Sequence, residues 1–80
     1  MAAVEVPMPD IERLREDLEE AEVLVRRGAE QIRRQQKLID VLERDGHSSG
    51  LARDVLATFE GIQETYLANR DRIAADLAAE

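Results

Sequence analysis

The chain has 80 residues, with 18 acids against 11 bases for a net charge of −7, no Cys or Trp, and a single Phe and Tyr. That length allows one small domain, whose core must be built from Leu, Ile, Val and Ala rather than aromatic rings. The missing thiols exclude disulfide and thiolate chemistry and suit a cytoplasmic protein, and no apolar run approaches the roughly 18 residues of a membrane span.

Residues 1–9 lack the basic start and long apolar stretch of a signal peptide and read as a flexible tail. Asp10 follows Pro9 and precedes a periodic segment, as an N-cap does. A first helix is predicted over residues 10–45. Its apolar positions form a heptad series: Ile11, Leu14, Leu18, Ala21, Val25, Gly28, Ile32, Gln35, Ile39 and Leu42. Leu24 and Leu38 fall at g positions and Ala29 at an e position. They widen the stripe beyond a two-stranded seam, which suits a bundle. Glu22 with Arg26, Glu30 with Arg34, and Asp40 with Arg44 have the i, i+4 spacing of helix-supporting ion pairs.

Asp45-Gly46 ends this helix, since Gly readily takes the left-handed conformation. Residues 46–50, Gly-His-Ser-Ser-Gly, form the turn, with Ser48 or Ser49 as cap for a second helix over 51–79. Its stripe runs Ala52, Leu56, Phe59, Gln63, Tyr66, Arg70, Ile73 and Leu77, flanked by Val55, Ile62 and Leu67. So short a connection makes the helices antiparallel neighbours. The fold class is therefore all-α, a coiled-coil-like antiparallel two-helix hairpin. One alignment pairs Leu42 with Leu56, Ile39 with Phe59, Gln35 with Gln63, Ile32 with Tyr66, Gly28 with Arg70, Val25 with Ile73 and Ala21 with Leu77. It predicts a glutamine–glutamine layer and a gap at Gly28 filled by the stem of Arg70. It leaves Ile11 and Leu14 beyond the end of the second helix and Leu18 at its edge. A break at Arg27-Gly28, giving three helices, is an alternative.

One lone hairpin buries one stripe per helix, which is marginal for stability. A homodimeric four-helix bundle is the simplest remedy, with another helical protein as the alternative partner. Ile11, Leu14, Leu18, Leu24 and Leu38 are the candidate association face.

The charge is uneven. Residues 1–25 hold eight acids and two bases, whereas residues 26–45 hold six bases and four acids. Arg26, Arg27, Arg33, Arg34 and Lys37 occupy b, c and f positions, away from the core, and form a candidate docking surface for an acidic protein. Nucleic acid ranks lower as a partner, because the overall charge is negative and no aromatic residues interleave for stacking.

His47 beside Ser48, Ser49 and Asp45 suggests a catalytic triad only superficially, because a hairpin turn supplies no oxyanion pocket. One histidine and no cysteine fall short of a zinc site, and the glycines of the turn lack the strand and Lys-Ser/Thr of a phosphate loop. No catalytic residue, metal, cofactor, small-molecule substrate or membrane association is expected.

The segment Gln35-x-x-Leu38-Ile39-x-x-Leu42-Glu43-x-Asp45-Gly46-His47, then Ala52-x-x-x-Leu56-x-x-Phe59-Glu60 and Arg70-Asp71-Arg72, resembles a group of small bacterial helical-hairpin proteins common in soil and plant-associated bacteria. The similarity covers roughly residues 28–77. Members commonly carry Asp-Thr after the Gly-His, where this chain has Ser48-Ser49, and a His where Tyr66 stands. The resemblance implies a hairpin and a bacterial cytoplasmic protein, and carries over no activity or site residue. The functional expectation is a non-enzymatic interaction or scaffolding module. The alternatives are a small regulatory subunit docking a partner through its first helix and, below that, a nucleic-acid-associated protein.

Overall fold

The computed structural model describes residues 11–80, as two α-helices, α1 (Ile11–Arg44) and α2 (Gly50–Ala78), packed as an antiparallel hairpin. The Asp10 cap and the tail over 1–9 lie outside the described residues. Heptad spacing of aliphatic residues drives both helices, and Glu12 in the first turn of α1 and Arg44 in its last turn complement the helix dipole. α1 runs unbroken through Gly28, so the three-helix alternative is set aside.

The end of α1 is a Schellman motif. Gly46 takes φ 77°, the left-handed value open to glycine. The His47 N–H then donates to the Leu42 carbonyl at 2.8 Å and the Gly46 N–H to that of Glu43 at 3.2 Å. Ser49 stands at the N-cap of α2 but makes no side-chain cap bond. Its hydroxyl instead donates to Glu43 Oε2 at 3.3 Å and accepts from Arg53 Nε at 3.2 Å.

The helices are offset by one heptad from the alignment predicted above. Gly28 faces Gln63, not Arg70: a Cβ at residue 28 would run into the Gln63 carboxamide. The predicted Gln35–Gln63 layer is absent. Gln63 Nε2 donates to the Val25 carbonyl at 2.8 Å, and Gln35 Nε2 to the Ala52 carbonyl at 2.9 Å. A helical carbonyl keeps a second lone pair after its i+4 bond, so each glutamine can bind the opposite backbone without breaking a helix. Small residues let the helices come this close. Ala21, Gly28 and Ala52 are buried, together with Ile39 and Gln63.

The offset also shortens the overhang. Leu14 shares a groove with Ile73 and Asp76, so α2 reaches the level of Leu14 and leaves Ile11 as the exposed end of the stripe. At the other end Leu42 lies beside Leu51, Ala52 and Val55 rather than Leu56. Of the three predicted ion pairs, Glu30–Arg34 forms at 3.0 Å, whereas Arg44 lies against Asp45 at 3.6 Å.

Candidate interaction surface

Among the described residues Ala21, Ile39 and Ala52 are the buried apolar ones, and several larger aliphatic side chains stay exposed. Their distribution is not uniform. Leu38 and Val55, from opposite helices, line one groove with Leu42 and Leu51. Leu24 and Asn69 line another. Leu24 and Leu38 are separated by two heptads, and Ile62 lies one heptad from both Val55 and Asn69, so all of these share one flank of the hairpin. Val41 follows Leu38 by one turn. On this flank Leu24, Leu38, Val41, Leu51 and Ile62 are exposed, Leu51 to 80 % and Leu38 to 46 %. With the exception of Ile11, these are the exposed large apolar residues among those described.

The opposite flank is polar. Glu43 and Arg53 meet there across the turn at 2.7 Å, with Ser49 between them. The Arg53 hydrogen bond chiefly, with its charge and the Ser49 hydroxyl adding to it, holds the Glu43 carboxyl below its ordinary value of 4.5 against the opposing effect of desolvation. Glu60 lies one heptad from Arg53 on this side.

The predicted association face is thus split. Leu24 and Leu38 lie on the exposed apolar flank; Ile11 is exposed at the start of α1; Leu14 and Leu18 are half-buried against the hairpin. Leu51 and Ile62 belong with Leu24, Leu38 and Val41, although no heptad count on a single helix joins the two sets. Val55 and Ile62 repeat in α2 the spacing that Leu24 and Leu38 show in α1, which is the signal that links the two halves.

The predicted docking surface is a continuous exposed face. Glu30, Arg33, Arg34 and Lys37 line one shallow groove, and Arg27, Glu30, Gln31 and Arg34 line the next. Glu30 pairs with Arg34; no ion pair ties Arg26, Arg27, Arg33 or Lys37 to a carboxylate among the described residues. His47 is exposed in the turn and contributes its backbone N–H there. Among the described residues no group of three or more His, Cys, Asp or Glu could hold a metal ion, and no helix is long and apolar enough to cross a membrane.

The chain matches no protein-family model, no curated protein and no solved structure. The two-sided hairpin itself therefore carries the functional argument.

Proposed function

We propose that the protein is a non-enzymatic interaction module, working in the cytoplasm, whose first partner is a second copy of itself. Two hairpins pack through the flank of Leu24, Leu38, Val41, Leu51 and Ile62 into a four-helix bundle. The observation that carries this is the segregation of exposed aliphatic residues to one side of a hairpin that, among the described residues, buries three apolar ones. A closed two-fold dimer covers such a flank on both copies at once. Leu24, Leu38, Val41 and Ile62 are 36–46 % exposed and Leu51 80 %, so covering what remains of each stabilises the assembly by roughly 0.5–1.5 kcal/mol, and by about 1–2.5 kcal/mol for Leu51, before association costs.

Solution mass tests it. Leu38→Glu or Ile62→Glu is expected to give a monomer with reduced helix content at concentrations where the parent is dimeric. Glu60→Lys, on the polar flank, is expected to leave the mass unchanged. Equal masses for all of these variants and the parent would remove the apolar flank from the account.

A second reading rests on the basic face of α1. Four of its five cations have no carboxylate partner among the described residues; Arg26, Arg33 and Lys37, at b and f positions, lie outside a dimer built on the apolar flank, whereas Arg27 shares a groove with Leu24 at its edge. That face suits an acidic protein segment. Arg33→Glu with Lys37→Glu is expected to abolish partner capture while leaving the dimer intact.

A further inference from the structure

We propose that the two copies meet with their turns at the same end of the bundle, through a two-fold axis along the helices; this rests on the homodimer reading above. The apolar flank differs between its ends. At the turn end its groove is lined by Leu38, Leu42, Leu51, Ala52 and Val55, with Gln35 and Ser48 as polar members. At the open end the groove carries Asp17, Glu20 and Asp76 beside Leu24 and Ile73. Arg72 is the one cation lining that groove, its Nη2 donating to Asn69 Oδ1 at 2.8 Å, and Arg27 stands beside Glu20 and Leu24 in the next.

Two closed arrangements bury a flank of this kind. With the axis across the helices, each turn lies over the partner's open end. Leu38 and Leu51 then cover Asp17, Glu20 and Asp76, so the most apolar part of the flank is spent on charged surface and the carboxylates are desolvated against aliphatic side chains. With the axis along the helices, each level meets itself. Leu38 and Val41 pack on Leu51 and Val55 of the second copy and the reverse, Ile62 comes next, and the carboxylates remain at the far end in water. They then face like charges, but repulsion between solvated carboxylates is weak and is screened within about 10 Å at moderate salt. Desolvating an unpaired carboxylate against apolar surface is the far larger penalty. The same-end arrangement follows.

The chain has no native cysteine, so single nitroxide labels can be placed cleanly. His47→Cys marks the turn, where residue 47 uses only its backbone N–H, and Ala75→Cys marks an exposed site near the open end. Each labelled full-length variant is measured by pulsed dipolar spectroscopy after light scattering gives its mass. Packed helices lie about 8–10 Å apart, so the same-end dimer predicts label separations of about 20–35 Å in both variants. In the opposed dimer at least one separation is about 50 Å or more, because α1 alone has 34 residues, or about 51 Å. Two short separations in a dimer support the proposal. A long separation in a dimer overturns the orientation and leaves the homodimer standing. Monomeric mass without dipolar coupling overturns both.

Discussion

Gly28 and Gln63 act as one unit. Gly28 costs α1 about 1 kcal/mol of helix propensity relative to Ala, yet its bare Cα makes room for the Gln63 carboxamide. Gln63 is only 8 % exposed, its Nε2 is held by the Val25 carbonyl, and its Oε1 is buried without a hydrogen-bond partner. A methyl at residue 28 must push that amide off its acceptor. Gly28→Ala is therefore expected to give no net gain in stability alone, but about 1 kcal/mol in a Gln63→Ala background. A double-mutant cycle by chemical denaturation reads this coupling, and equal effects in both backgrounds would break the link between the two residues. Glu43 makes a second residue-scale prediction. Its folded pKa is lowered chiefly by the Arg53 hydrogen bond, so its favourable contribution is present above its ordinary value of 4.5 and is lost as pH falls through the lower folded value. In a carboxyl-detected NMR titration Glu43 is expected to protonate below its ordinary value of 4.5, and Arg53→Ala to return it toward that value.

Each helix was legible as an element; their alignment was not. Aliphatic spacing, Gly46 and the short polar turn are enough to place two antiparallel helices to within a residue or so of Ile11–Arg44 and Gly50–Ala78. A heptad pattern repeats on itself, however, and so cannot distinguish one alignment from another shifted by a heptad. What selects the alignment is Gly28 against Gln63, and two glutamine amides on opposite backbone carbonyls. Gln63 in the stripe was visible, but its acceptor on the other helix was not. Replacing Gln35 and Gln63 together by Leu is expected to keep or raise helix stability while loosening the register. Doubled amide resonances in the NMR spectrum would show this, and a single sharp set would mean that the glutamines do not set the alignment. The turn has its own test. Gly46→Ala forces a Cβ into the left-handed region and is expected to cost about 1–2 kcal/mol, with Gly46→Asn closer to the parent.

At the scale of the whole molecule, the hairpin has one apolar and one polar flank, with a basic face on the outside of α1. Half of the apolar flank could be read from Leu24 and Leu38. The other half, Leu51 and Ile62, joined them only once the two helices were laid side by side, and the corrected register drew Leu14 and Leu18 back against the hairpin. In the proposed dimer a second copy covers this flank. Light scattering with circular dichroism over a hundredfold concentration range is the first check. A highly helical dimer that loses helix as it dissociates on dilution is expected. A chain that stays monomeric and fully helical across the whole range would contradict it.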